Sequence, residues 1–301
     1  MIITRTPFRV SFFGGGTDYP VWYKEHGGKV LSTTIDKYCY ISLRELPPFF
    51  EHKYRIVYSK IENVCRVEDI VHPAVREVLS YSGCTQGLEI HHDGDLPARS
   101  GMGSSSSFSV GLLNALSAFN GTYVGDRSLA ERVIHIEQNI IKEHVGSQDQ
   151  ISAAFGGFNE IDFFRDGEFS VSPLIVRPER LIELNNHLML FFSGISRFSS
   201  EIAESQILNI KSLQVDVSIF YDMVNEGIAI LKSDNAPIQD FGCLLHESWK
   251  HKRMLSDRIT NSQIDTLYDL ARRAGALGGK VLGAGGGGFM LFFVNPEDQP
   301  K

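Results

Sequence analysis

The sequence predicts an α+β protein of two domains. Three observations carry that expectation. At 301 residues the chain suits one large domain or, more often, two that share a cleft. Its first third holds short β-prone segments bounded by glycine or proline. Its last third is rich in helical patterns and closes on two strands separated by a run of glycines.

The bulk numbers narrow the function classes. An apolar fraction of 43% is ordinary for a globular chain and excludes a wholly disordered one. The formal charge is −7, from 29 basic and 36 acidic side chains. An acidic surface repels nucleic acid and anionic lipid, so neither is expected as a partner, and a phosphorylated ligand needs a local basic pocket. Cys39, Cys65, Cys84 and Cys243 are widely spaced without a C-x-x-C pair, which argues for reduced thiols in a cytoplasmic protein rather than a zinc site or disulfide framework. The first ten residues lack the apolar core of a signal peptide, and no apolar run reaches the roughly 18–20 residues that span a bilayer.

Taken in order, 30–32 and 38–43 read as short strands. The first clear helix starts near Ser104, with Phe108, Leu112, Leu113, Leu116 and Phe119 at helical spacing and Asn120-Gly121 as its stop. A second starts at Ser128 with Glu131 three residues on, a capping-box pattern, and sets Leu129, Val133, Ile136 and Ile140 on one face. Strands are expected at 158–164, 169–176, 187–192 and 289–294. Helices fill 200–274, with starts at Pro237 and Asn261. The domain boundary is placed near Pro178, giving domains 1–178 and 179–301.

The most informative segment is Leu96-Pro97-Ala98-Arg99-Ser100-Gly101-Met102-Gly103-Ser104-Ser105-Ser106-Ser107, which runs straight into the first helix. Glycines let the backbone approach a ligand and turn N–H groups toward it. The helix N-terminus adds unsatisfied donors and the positive end of the dipole. Hydroxyls add donors and a candidate Mg²⁺ ligand. Together these make a phosphate cradle. The alternative is a flexible Gly/Ser linker, against which the apolar-periodic helix argues. No Lys follows the glycines, which excludes a P-loop, and Ser106 stands where a dinucleotide fingerprint needs its third Gly.

This segment resembles the P-x-x-x-G-L-G-S-S-S/A phosphate loop of the GHMP kinases, the family of galactokinase, homoserine kinase, mevalonate kinase and phosphomevalonate kinase. Met102 takes the place of the Leu. Two flanking stretches resemble the family's other motifs. Arg9 through Asp18 reads R-V-S-F-F-G-G-G-T-D, where a strand turns sharply and leaves Asp18 placed to accept hydrogen bonds from ligand hydroxyls. Galactokinase-like members have Glu-His where Gly15 and Gly16 stand, which argues against galactose. The form resembles the heptose 7-phosphate kinase and fucokinase-like branch. Near the C-terminus, Gly283, Gly285 and Gly288 satisfy G-x-G-x-x-G, but a strand follows instead of a helix. The stretch is similar to the third family motif, a glycine loop that packs on the nucleotide loop and substrate. The bland readings are a plain β-turn for the first stretch and a small-residue hairpin for the last.

Asp149 lies in Gly146-Ser147-Gln148-Asp149-Gln150, and Glu137 stands twelve positions earlier on a helix. Alone, each reads as a solvated surface acid. Paired at a cleft, one carboxylate would serve Mg²⁺ and the other the acceptor hydroxyl. The resemblance assigns Mg²⁺ to Glu137 and Ser105, the acceptor hydroxyl to Asp149, and the ATP phosphates to Gly101, Met102, Gly103, Ser104, Ser105 and Ser106. Arg9, if beside Asp149, would stabilise charge on the transferring group. Gly15, Gly16, Asp18, Gly285 and Gly286 fall on the substrate side. His91-His92-Asp93 reads as a surface turn, and Trp249-Lys250-His251-Lys252 as a solvated basic helix face.

The resemblance implies an N-terminal domain like the second domain of ribosomal protein S5 and a ferredoxin-like C-terminal one. Family members continue past the third-motif strand with a helix and a strand, so the C-terminal domain is expected to be truncated or abbreviated at Lys301. It further implies ATP and Mg²⁺ as cofactors and phosphorylation of D-glycero-D-manno-heptose 7-phosphate at its anomeric hydroxyl. A fucokinase-like sugar 1-kinase and a non-catalytic ligand-binding relative are the alternatives. A small sugar phosphate is the expected partner, with a homodimer left open. Arg99, Lys29 and the cluster at Lys250 are the candidates to hold a substrate phosphate.

Overall fold

The computed structural model describes residues 1–195, 199–212 and 217–300. Contacts gather the chain into two compact units. The first holds Met1–Arg9, Thr34–Ala98 and Gly103–Gly156, and the second holds Val10–Thr33, Arg99–Met102 and the chain from Gly157 onward.

The chain opens with β1 (Ile2–Phe13), a short α1 (Pro20–His26) and β2 (Gly28–Glu45). β2 is one strand of 18 residues, where the sequence suggested two short ones. Thr33, Thr34 and Ile35 bridge the two segments, and β-branched side chains favour extended backbone. Along its second half Cys39, Ile41 and Leu43 are buried at every other position, the period of a strand with one covered face. That half pairs antiparallel with β5 (Leu88–Gly94), from Cys39↔Gly94 to Glu45↔Leu88. β3 (Tyr54–Val57) lies parallel to β5 and antiparallel to β4 (Ile61–Val64).

The first third is not all strand and turn. α1 and α2 (Pro73–Tyr81) each begin on a proline, whose fixed φ suits the first helical position. Next come α3 (Ser104–Phe119), α4 (Asp126–His135) and α5 (Gln148–Phe155). α3 buries Phe108, Leu112, Leu113 and Leu116 and stops at Asn120-Gly121, as its periodicity predicts. α4 starts two residues before the expected Ser128. Its Glu131 pairs with Arg127 at 2.9 Å, an i,i+4 ion pair, and the helix has no side-chain cap. α4 then passes into a π-helical turn, Ile136–Ile141, which ends at Lys142 in the left-handed region (φ 63°). Such turns are rare and gather at functional sites.

In the second unit the first half of β2 pairs antiparallel with β6 (Phe158–Phe163), and β6 with β7 (Phe169–Pro173). Four of the following elements are α6 (Pro178–His187), β8 (Leu188–Phe192), α7 (Ser199–Lys211) and α8 (Ser218–Lys232). α9 (Gln239–Arg253), α10 (Ser262–Arg273), β9 (Ala276–Val281) and β10 (Phe289–Val294) complete the set. Asn261 caps α10, its side chain accepting from the N–H groups of Gln263 (3.1 Å) and Ile264 (3.0 Å). β10 is buried along its length and forms the middle of an antiparallel sheet in the order β8-β10-β9. Among the described residues no helix is long and apolar enough to cross a membrane, and all four cysteines are free.

Candidate active site

In the first unit, β1 carries Arg9 and the first turn of α5 carries Asp149. Arg9 Nε donates to Asp149 Oδ1 and Nη2 to Oδ2, both at 2.8 Å. The Arg9 side chain is 5% exposed and that of Asp149 26%, so the pair is rooted in the fold while the carboxylate keeps access to solvent. Gly103, just before α3, sits at φ 74°. A Cβ there would lie 3.2 Å from Arg9 Cγ and 3.6 Å from Asp149 Cγ. The last glycine of the loop therefore lets the start of α3 lie directly against this pair.

Glu137 sits on the π-helical turn and is buried, at 1% exposure. Its Oε2 accepts from Ser106 Oγ (2.9 Å) and Gln150 Nε2 (2.6 Å). Oε1 is buried without a hydrogen-bond partner. Burial pushes the Glu137 carboxyl up to about 7, and Glu143 adds to the rise, against the pull of Ser109, Gln150 and Ser106. The hydroxyl held against Glu137 is thus that of Ser106, not the expected Ser105. Ser105 is exposed, one helical position and so about 100° around α3 from Ser106. A buried carboxylate with an orphaned oxygen, beside a hydroxyl, fits a small divalent cation. Among the described residues no group of three His, Cys, Asp or Glu could hold a metal. One carboxylate with a hydroxyl suits Mg²⁺, which keeps waters and phosphate oxygens as its other ligands.

In the second unit the third glycine motif packs on the middle of the phosphate loop. Phe289 N donates to Ser100 O at 2.9 Å. A Cβ on Gly101 (φ 81°) would lie 2.6 Å from Leu282 O, and one on Gly288 would overlap Ser100 O. Gly286 N donates to Ile259 O at 2.8 Å, and a Cβ on Gly285 would come within 2.8 Å of the same oxygen. Met102 is fully buried, which suits an apolar residue at that point of the loop. The supposed solvated face of α9 is a correction. Trp249 and Lys252 are buried, and Lys252 Nζ donates to Val281 O (3.0 Å) and Gly283 O (2.5 Å) at the root of the glycine turn. Only Lys250 behaves as a solvated cation, pairing with Glu247 at 2.9 Å.

The part of the first motif from Val10 onward also lies in this unit. Asp18 is 2% exposed and accepts from Gly16 N at 2.9 Å, so one of its oxygens holds the Gly14-Gly15-Gly16 turn. Thr17 Oγ1 donates to Gly14 O at 2.8 Å. Lys29 is engaged by Glu160 (2.5 Å) and Asp162 (3.2 Å), which removes it as an anchor for a ligand phosphate. Arg99 is exposed and takes the left-handed conformation (φ 60°). His91, His92 and Asp93 belong to β5 and not to a turn: His91 Nε2 lies 2.8 Å from Glu89, and the His92 ring stands edge-on to Phe108.

Comparison with known proteins agrees with this layout. A family profile described as GHMP kinases N terminal domain matches residues 69–157, and one described as GHMP kinases C terminal matches 229–301. The D-glycero-alpha-D-manno-heptose 7-phosphate kinase of Campylobacter jejuni is 30% identical over 99% of this chain and 91% of its own length. This chain belongs to the GHMP kinases. It is an ATP-dependent sugar kinase of that family. The bifunctional fucokinase/GDP-fucose pyrophosphorylase of Arabidopsis thaliana is 24% identical over 98% of the chain but only 30% of that longer protein. The crystal structure of a D-glycero-D-manno-heptose 1-phosphate kinase from Bacteroides thetaiotaomicron shares the fold, with a TM-score of 0.75 at 24% identity over 100% of this chain and 90% of that one. Three contacts of this chain are not legible in its motifs: Ser106 and Gln150 on Glu137, and Lys252 under the glycine turn. Only Gln150 had a signal, its place beside Asp149 in the G-S-Q-D-Q stretch.

Proposed function

We propose that this kinase transfers the γ-phosphoryl group of ATP to the anomeric hydroxyl of D-glycero-D-manno-heptose 7-phosphate, giving the 1,7-bisphosphate. The observation that carries the reading is the two-point Arg9–Asp149 pair lying against Gly103, at the start of the phosphate-loop helix. The Campylobacter jejuni relative, named for a heptose 7-phosphate substrate, supports the choice of sugar.

Phosphoryl transfer asks a protein for positioning and charge stabilisation more than for covalent chemistry. The amides of Gly101, Met102, Gly103, Ser104, Ser105 and Ser106 receive the ATP phosphates, helped by the dipole of α3. Glu137 and Ser106 hold the divalent cation, which offsets phosphate charge when bound. Asp149 orients the acceptor hydroxyl and takes its proton, while Arg9 fixes the carboxylate in one orientation. Gly15, Gly16, Asp18, Gly285 and Gly286 keep their substrate-side assignment on the strength of the motifs. The division into a nucleotide-binding part, 1–178, and a C-terminal part, 179–301, follows the same family layout.

One observation favours a second reading, a fucokinase-like 1-kinase on an uncharged sugar. Lys29 and Lys250, two of the candidates to hold a remote phosphate, both pair with carboxylates. ATP consumption with the heptose 7-phosphate, the unphosphorylated heptose and fucose separates the two. Binding of the remote phosphate should help place the reacting hydroxyl, so its removal should lower kcat as well as raise KM. Equal use of the unphosphorylated heptose would replace the first reading by the second.

A further inference from the structure

We propose that Gln150 is a positioning residue for the metal-binding carboxylate: it turns Glu137 so that one oxygen faces protein donors and the other is left for the cation. The inference rests on the assignment of Glu137 and Ser106 to the metal.

Gln150 is fully buried in the first turn of α5. Its Nε2 donates to Glu137 Oε2 at 2.6 Å, and Ser106 Oγ donates to the same atom at 2.9 Å. Two donors therefore converge on one oxygen, while Oε1 has no hydrogen-bond partner; the nearby Ser109 hydroxyl, which also favours the charged carboxylate, donates to Ser105 O at 3.2 Å. The amide orientation follows from chemistry, because the opposite one would set oxygen against oxygen. In this orientation Gln150 Oε1 is itself buried without a donor. Two buried acceptors without donors are an expensive arrangement in a dry interior. A hydrated cation answers both, since it binds a carboxylate oxygen directly and its waters donate to an amide oxygen. A neutral amide brings no charge of its own to Glu137; its contribution is direction. Asp149 is the residue before Gln150, so a single helical turn carries both the carboxylate that Arg9 holds and the amide that holds the Glu137 carboxylate.

The test uses the full chain with Gln150→Leu, Gln150→Asn and, as reference, Glu137→Gln. Mn²⁺ binding in the presence of ADP, read by electron paramagnetic resonance, needs no turnover. The Mg²⁺ dependence of kcat is measured beside it. Gln150→Leu should weaken Mn²⁺ by about 10–100-fold, the usual effect of removing an outer-shell partner, and raise the Mg²⁺ needed for half-maximal rate. The KM for sugar should stay within about twofold, because a positioning residue for the metal does not touch the acceptor. Gln150→Asn keeps the amide but is one methylene short, and should fall between; if Gln150→Leu does not fold, it decides alone. Unchanged Mn²⁺ affinity in the Gln150 variants, with loss in Glu137→Gln, overturns the role of Gln150 and leaves the metal assignment standing. No change in any variant overturns the metal assignment itself.

Discussion

Arg9 and Asp149 meet through two hydrogen bonds of 2.8 Å each, across 140 residues of chain. The planar guanidinium fork matches the carboxylate, and neither a lysine nor an amide reproduces that match. Asp149→Asn should keep ATP binding and lower kcat by roughly 10²–10⁴-fold, the range for a positioned acid or base. Calorimetric titration with ATP and steady-state kinetics check the two halves. A variant with near-normal kcat would remove Asp149 from the reaction.

Gly103 tests how closely the phosphate loop must approach that pair. Ala at φ 74° carries left-handed strain of about 1–2 kcal/mol, and its Cβ would press on Arg9 Cγ at 3.2 Å. Gly103→Ala should lower the unfolding free energy by that order and lower kcat/KM for ATP. Chemical denaturation beside kinetics reads both. A variant as active and as stable as the parent would show that the approach has slack.

Lys252→Met keeps the apolar stem and removes the donor from Val281 O and Gly283 O. Leaving buried acceptors unmet costs about 1–3 kcal/mol. The expected result is a lower midpoint in urea, together with weaker activity because the glycine turn is less firmly held. An unchanged midpoint would mean that water replaces the ammonium without loss.

Acid should weaken the fold through buried histidines. Burial holds His72 and His92 below the ordinary value of 6.5. They stay neutral in the fold where the unfolded chain protonates, so the unfolded state binds more protons in that window. Stability is then full above about pH 6.5 and falls as pH drops below it. Glu62, whose charge favours a protonated His72, limits the effect without reversing it. His72 also caps α2, its Nδ1 accepting from Val75 N at 3.4 Å, and Asn serves as a cap without titrating. His72→Asn should flatten the stability profile between pH 7.5 and 5.5, measured by urea denaturation. An equally steep profile would assign the slope to other groups.

Where the determinants are local, the sequence was enough. The α3 periodicity with its Asn-Gly stop and the Asn261 cap sit where residue type alone places them. The glycine-rich stretches stand out by composition, and the resemblance to the GHMP kinases gives them their roles. The serine that meets Glu137 was not legible, because that depends on the phase of α3 against a π-helical turn. Nothing in Ile136-Glu137-Gln138-Asn139-Ile140-Ile141 marks the wider turn. By sequence Lys252 belongs to a solvated face, because its neighbours Lys250 and His251 suggest a charged one. Its burial rests on two carbonyls about thirty residues away, beyond the reach of periodicity. The continuity of β2 escapes the sequence for the opposite reason: the exposed Asp36 and Lys37 suggest a break, yet the β-branched Thr33, Thr34 and Ile35 before them favour extended backbone.

The packing of Gly101 on Leu282 O, and of Gly283 and Gly288 on the backbone of Gly101 and Ser100, ties together two stretches some 180 residues apart. Each glycine is barred from growing a side chain by the main chain of the other stretch, and no change of side chain there can relieve it. Mutational drift at these positions is therefore closed in both directions. A library randomised at Gly101, Gly283 or Gly288 alone should return only glycine among active clones. Pairwise randomisation should do no better, because the obstacle is main chain, which a compensating side chain cannot remove.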